Sequence, residues 1–186
     1  MSASSCTVGL PQMKDYVLTE SLGTGTYATV YKAVHKGKQK GVVAVKCIKR
    51  SRLTVSSMEN LLTEIKVMKQ LQHEHIVQLS EFEWDTNYIF LIMEYCSGGD
   101  LSNFIRSRNT LAEVEAKYFL QQLACALQFL RSKGIAHMDL KPQNLLLHVT
   151  ASRKYILKVG GTNIACQPTG FWHSAFIFSN CCAGSL

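Results

Sequence analysis

An aspartate and an asparagine five residues apart carry the most specific chemical signal in this 186-residue chain: Asp139 and Asn144, in the run Ile135-Ala136-His137-Met138-Asp139-Leu140-Lys141-Pro142-Gln143-Asn144. A carboxylate in a loop stiffened by proline can accept or orient the proton of an attacking hydroxyl. An amide oxygen beside it can hold a magnesium ion, so the pair suits a single phosphoryl transfer. Three earlier features fit the same chemistry. Gly23-Thr24-Gly25-Thr26-Tyr27-Ala28-Thr29-Val30 lies between two predicted strands, and its glycines allow backbone N–H groups to approach phosphate oxygens. A strand rather than a helix follows, which favours a phosphate-covering hairpin over a dinucleotide-binding turn. Ala28 stands where the usual pattern has a third glycine, and a plain β-turn is an equally open reading of this string taken alone. Sixteen residues past Val30, Lys46 closes the run Val43-Ala44-Val45 as a fixed cation for α- and β-phosphates, or as an ordinary exposed strand lysine. Glu64 precedes Ile65 on a predicted helix, where it would pair with Lys46 or sit as a surface glutamate.

Positioning these groups requires strands first and helices second. Val17-Leu18, Thr29 to Tyr31, Val42 to Ile48, Ile76 to Phe82 and Tyr88 to Met93 are short apolar or β-branched runs and predict strands. Between the third and fourth, Leu61, Leu62, Ile65 and Met68 fall at helical spacing behind a capping box read at Ser56 and Glu59. Asp85-Thr86-Asn87 predicts the turn of a hairpin. Beyond Met93, Ser97-Gly98-Gly99-Asp100 leads into a short helix around Leu101 to Arg106. A second capping box, Thr110 and Glu113, opens a longer helix that ends at Gly134. The middle of that helix, Phe119 to Leu130, is apolar nearly all round and wants neighbours on every side.

Composition bounds the partners. Hydrophobic residues make up 47% and charged residues 18%, enough for a packed core and too apolar for wholesale disorder. The net charge of +7 suggests acidic partners such as phosphates. Its densest stretch, Lys36 to Arg52, reads as a solvated basic face; no aromatic residues interleave there as a nucleic-acid surface would need. The seven cysteines form no CxxC pair, so neither a zinc site nor a disulfide framework is indicated, and reduced thiols in the cytosol fit. The N-terminus carries no signal-peptide pattern, and the apolar patch Phe171 to Phe178 is too short to span a membrane.

The strings GTGTYATVYKA, VAVKCIK, LLTEIKVMKQLQHEHIVQL, LIMEYCSGGDL and HMDLKPQNLLL, spread from Tyr16 to Lys158, resemble the eukaryotic protein kinases, and among them the unc-51-like kinase family, its third member most. The resemblance implies an α+β, two-lobed protein kinase-like fold: a complete five-stranded N-lobe with one helix, and a truncated helical C-lobe. It implies a serine/threonine protein kinase that transfers the ATP γ-phosphate, with ATP and Mg as cofactors; Lys141 is the serine/threonine marker. By the same resemblance Leu22, Gly23, Gly25 and Val30 cover ATP, and Ala44 and Leu146 sandwich adenine. Met93 is the gatekeeper, Glu94 and Cys96 are the hinge, and Asp100 sits near the ribose. Lys46 binds phosphates and pairs with Glu64, Asp139 is the catalytic base, Lys141 contacts the γ-phosphate, and Asn144 binds metal. Protein substrates, autophagy or signalling regulators and a cytoplasmic location are implied in the same way.

Two departures qualify that expectation. Met138 replaces the arginine that precedes the catalytic aspartate in the family, so no activation-loop phosphate would be clamped there. After Leu157-Lys158-Val159 the family continues with Asp-Phe-Gly; here Gly161 stands at the aspartate and Thr162 at the phenylalanine. The expected organisation is a flexible lead at 1–15, a partial kinase domain at 16–160 (lobes 16–93 and 97–160), and an unrelated tail at 161–186. A competing reading follows: a catalytically dead chain acting as a nucleotide-binding or protein-interaction module.

Overall fold

The computed structural model describes residues 10–37, 41–161 and the backbone of 164–166. The expectations for residues 1–9, for the tail beyond Cys166, for Thr162 and for the patch at Phe171 to Phe178 lie outside the described residues. The chain divides into two compact units, residues 1–58 with 79–95, and residues 59–78 with 96–186.

The first unit is a five-stranded antiparallel sheet. Its strands are β1 (Tyr16–Thr24), β2 (Ala28–His35), β3 (Val42–Lys49), β4 (Leu79–Trp84) and β5 (Tyr88–Glu94), in the order β1-β2-β3-β5-β4. Period-two alternation divides its side chains between two faces. Val45, Cys47, Phe90, Ile92, Ala33, Leu18, Tyr16 and Met13 pack into one core cluster on a single side. Ile89 to Ile92 of β5 are all buried, the continuous apolar run of an interior strand. The β4–β5 turn forms as expected: the Asp85 carboxylate accepts the amides of Asn87 at 2.7 Å and Tyr88 at 2.6 Å. The fourth strand, however, starts at Leu79 rather than Ile76. Ile76 instead forms an isolated parallel bridge to Val159.

Helix α1 (Val55–Gln70) begins in the first unit and continues in the second; its buried residues Leu61, Ile65 and Met68 all lie past residue 58. Its capping box is two residues earlier than expected. Thr54 and Ser57 exchange bonds: the Thr54 amide donates to Ser57 Oγ at 2.7 Å, and the Ser57 amide donates to Thr54 Oγ1 at 3.2 Å. A serine at the third helical position serves where a glutamate was expected.

The second unit adds α2 (Leu101–Arg108), α3 (Glu113–Ser132), β6 (Ile135–His137), β7 (Leu145–Val149), β8 (Tyr155–Val159) and β9 (Ile164–Cys166). β7 and β8 form one antiparallel hairpin, and β6 pairs with β9. The second expected capping box is absent: Ala112 is the N-cap of α3 and makes no side-chain bond. Glu113 and Glu115 in the first turn supply favourable charge against the helix dipole instead. Gly134, at φ 67°, closes the helix as expected. Phe119, Gln122, Ala126 and Leu130 face inward. Gln122 is buried because its Oε1 accepts the Leu157 amide at 2.6 Å, holding α3 to β8. The opposite side of α3 leaves Val114 81% and Leu120 54% exposed.

Gln122→Ala should cost ~1–3 kcal/mol in urea unfolding, the penalty for an orphaned buried amide. Leu120→Gln should change stability by less than about 0.5 kcal/mol while reducing the fluorescence of a bound hydrophobic dye.

Candidate active site

In the second unit the segment from β6 to β7 is tied into one hydrogen-bonded loop. Lys141 precedes a 3₁₀ turn at Pro142–Asn144, where proline suits the first position because its missing N–H has no helical partner to lose. Asn144 Nδ2 donates to the Asp139 carbonyl at 2.7 Å and to Asp139 Oδ2 at 3.0 Å. Lys141 Nζ lies 2.7 Å from the same Oδ2. The Asp139 carboxyl is therefore held below its ordinary value of 3.8, first by the Lys141 bond and then by Asn144. It is ionised at neutral pH, an acceptor that orients a hydroxyl better than it strips one.

His137 is not among the residues that the sequence singles out, yet it organises this loop. Its Nδ1 accepts the Asp139 amide at 3.3 Å. That assigns the proton to Nε2, which donates to the Gly160 carbonyl at 2.9 Å. The Gly160 amide in turn donates to the Asn144 carbonyl at 2.8 Å. The end of β8 is thus bonded to both sides of the Asp139–Asn144 segment. The legible signal was a histidine two residues ahead of the aspartate.

Gly161 follows at φ 98°, in the left-handed region that favours glycine. A Cβ there would lie 3.5 Å from the Asn144 amide carbon and 3.5 Å from His137 Nε2. Any side chain at this position would start out against the loop. Elsewhere in this unit Leu146 bridges Asp100. Asp100 Oδ1 accepts the Asn103 amide at 2.8 Å as the N-cap of α2, and its Oδ2 accepts from Asn103 Nδ2 at 2.6 Å. Both of the carboxylate oxygens expected near a ribose are thus engaged locally. Cys96 is buried, and Glu64 lies in the part of α1 that belongs to this unit.

The first unit carries the remaining predicted residues. Gly23 pairs with Val30, and the Gly25 amide donates to the Ala28 carbonyl at 2.8 Å, so the glycine string is the tip of the β1–β2 hairpin. Ala28 is accommodated because the turn needs only its carbonyl. Val30 pairs with Lys46, Lys46 with Leu91, and Ala44 with Met93. Cross-strand partners share a face, so Val30, Ala44, Lys46 and Met93 line one side of the sheet, opposite the core cluster. Leu22 sits in the register shift between Ser21 and Gly23, exposed at the hairpin's edge, and Glu94 ends β5.

Residues 16–166 match the protein kinase domain. The chain belongs to the protein kinase family. It is 57% identical over 139 residues to serine/threonine-protein kinase ULK3 of Rattus norvegicus and 56% identical over 139 residues to that of Homo sapiens, covering 75% of this chain and 29% of each relative. It is 41% identical over 165 residues to serine/threonine-protein kinase ULK1 of Homo sapiens, covering 89% of this chain and 15% of that protein. The chain therefore spans under a third of the length of these relatives. The kinase match and β9 both run to Cys166.

Kinases of this family generally use ATP with magnesium, a cation that takes oxygen ligands, carboxylates foremost. The donors present do not fit a protein-held magnesium site. Asn144 commits its nitrogen to Asp139 and has a single neutral oxygen to offer, and Gly161 has none. Among the described residues no three His, Cys, Asp or Glu side chains cluster for a metal.

Carboxyl-detected NMR should place the Asp139 midpoint below 3.8. Lys141→Ala should raise it more than Asn144→Ala, because the lysine bond is the larger cause. Because the folded value is depressed, the stability that Asp139 contributes is complete above its ordinary value and is lost only as pH falls through the lower folded one. No Asp139 step should therefore appear in stability between pH ~5 and 8.

Proposed function

We propose that this chain is a nucleotide-binding kinase module that handles ATP and a protein serine or threonine hydroxyl with strongly reduced turnover. The observation that carries the reading is the Asp139–Lys141–Asn144 lock, with one carboxylate oxygen bound by an amide at 3.0 Å and an ammonium at 2.7 Å. An ionised, fixed acceptor flanked by a lysine suits a hydroxyl nucleophile on one side and a phosphoryl group on the other. The glycine hairpin and the Lys46 face supply backbone amides and a cation for the α- and β-phosphates. Ala44, Met93 and Leu146 offer apolar contact to a base, and Glu94 and Cys96 their backbone groups. The ion pair of Lys46 with Glu64 that the resemblance implies is part of this proposal.

In the reaction so read, Asp139 orients the hydroxyl and takes its proton as that oxygen bonds to the γ-phosphorus and the bond from the γ-phosphorus to the β–γ bridging oxygen breaks, releasing ADP. Lys141 moves from Asp139 towards the transferring group as charge develops on it. No step is assigned to a metal, because position 161 has no carboxylate. Losing one preorganised electrostatic group costs about 10²–10³ in rate, so a second reading is favoured by the same glycine: binding without useful turnover, in a nucleotide-dependent interaction module. The roles in autophagy or signalling and the cytoplasmic setting belong to this proposal. Among the described residues Cys47, Cys96 and Cys125 form no disulfide, which suits a reducing compartment.

The test measures ATP binding and phosphate transfer to a generic Ser/Thr substrate. The chain should bind ATP, and Lys46→Met should abolish binding. Gly161→Asp should raise transfer about 10²–10³-fold and make ATP affinity magnesium-dependent, whereas Gly161→Asn, alike in shape but uncharged, should not. ATP binding that survives Lys46→Met would sink the reading. Wild-type turnover equal to that of Gly161→Asp would remove the argument from the missing carboxylate.

A further inference from the structure

We propose that the outer face of the five-stranded sheet carries a second anion site, which takes a phosphate monoester on a small organic body and is separate from the face that bears Lys46. Lys46 and Cys47 are neighbours on β3, so they point to opposite sides of the sheet. On the Cys47 side lies a cleft of about 210 Å³. Its lining includes Lys49, Arg52, Tyr27, Tyr31, Tyr88 and Thr29, with no carboxylate among the lining residues.

The floor is uncharged. Cys47 is buried, and burial followed by the charge of Asp85 pushes its thiol up to about 12, so it stays protonated at neutral pH. Asp85 itself does not line the cleft, and its Oδ1 is occupied by the Asn87 and Tyr88 amides. A neutral, partly desolvated floor strengthens the attraction between an anion and the cations at the rim. Arg52 Nη1 donates to the Thr26 carbonyl, which fixes the guanidinium beside the hairpin tip. That bond uses one of five N–H donors, and the remaining fork matches two oxygens of a phosphate.

Charge and size select the ligand. Two cations and several hydroxyl donors suit a dianion with three oxygens to satisfy, which a carboxylate is not. Drug-sized pockets begin near ~300 Å³. A cleft of about 210 Å³ holds a phosphate and a few carbons rather than a nucleoside. The tyrosine rings provide apolar surface for those carbons. A free phosphorylated metabolite and a phosphorylated serine side chain share this chemistry.

Calorimetry on the full chain at low salt would use three probes: inorganic phosphate, O-phosphoserine, and blocked phosphoserine amide. Saturable binding of at least one phosphoserine probe, tighter than inorganic phosphate, is expected. A preference for the blocked form points to a side chain, and a preference for the free form points to a metabolite. Lys49→Gln should weaken binding about tenfold, the loss of one charge-assisted contact, and added salt should weaken it further. Tyr88→Phe, which removes only a hydroxyl, should weaken it by a smaller factor. Lys46→Met should leave it unchanged within about twofold while abolishing ATP binding, so failure here and failure of the nucleotide reading are separable. No saturable binding would overturn the proposal. So would loss with Lys46→Met and retention with Lys49→Gln, which would place the anion on the other face. Equal affinity for inorganic phosphate and phosphoserine would overturn the organic-body part.

Discussion

The amide of Asn144 is the point on which the Asp139–Asn144 loop turns. An asparagine side chain has two N–H donors and one carbonyl oxygen. Here the nitrogen serves both the backbone and the carboxylate of Asp139. The Asn144 main-chain carbonyl takes the Gly160 amide. One residue therefore fixes the orientation of the acid and ties the end of β8 to the loop. Lys141 adds a second hold on the same carboxylate oxygen. With its donors spent in this way, Asn144 has only its side-chain oxygen left to offer.

Much of this architecture was legible because it depends on local rules. Alternating apolar runs gave the strands of the sheet, the Asp85-Thr86-Asn87 turn closed as an Asx turn, and Gly134 ended α3 where a left-handed residue was needed. What escaped the sequence depended on competition between near-equal candidates or on distant partners. Thr54 and Ser57 capped α1 in place of Ser56 and Glu59, because the strand-like exit from Leu53 set the first helical residue two positions earlier. Ile76 left the strand because its backbone bridges Val159, a partner 83 residues away. His137 was silent because its role lies in main-chain bonds to Asp139 and Gly160, and nothing in residue type announces which carbonyl a histidine will meet. The apolar helix α3 is not covered all round among the described residues: Gln122 anchors one side at β8, and Leu120 is exposed.

The two faces of β3 present two different sets of side chains. Alternation places Ala44 and Lys46 on one side and Val45 and Cys47 on the other. Side chains on one face can change with little effect on the other, provided that the ladder to β2 and β5 is kept. The basic stretch from Lys36 to Arg52 is accordingly not one patch. Lys46 shares a face with Val30, whereas Lys49 lines the outer cleft with Arg52. Read as composition it is a solvated basic face; read with strand period it separates into distinct sets.

In the proposed reading Gly161 would separate binding from turnover for a reason that is conformational as well as electrostatic. Its φ of 98° is strained for an ordinary side chain, and the cost for a non-glycine residue there is of order 1–3 kcal/mol. Aspartate and asparagine tolerate the left-handed region better than most residues. A carboxylate could therefore occupy this position at modest strain, 3.5 Å from the Asn144 amide carbon at its Cβ. Glycine removes that strain and the charge together. The bonds from the His137 side chain and the Asn144 carbonyl to Gly160 do not depend on the side chain at position 161, because both meet the main chain of Gly160. The backbone scaffold of the loop is thus independent of the group that would stabilise developing charge, and a chain can keep the former while lacking the latter.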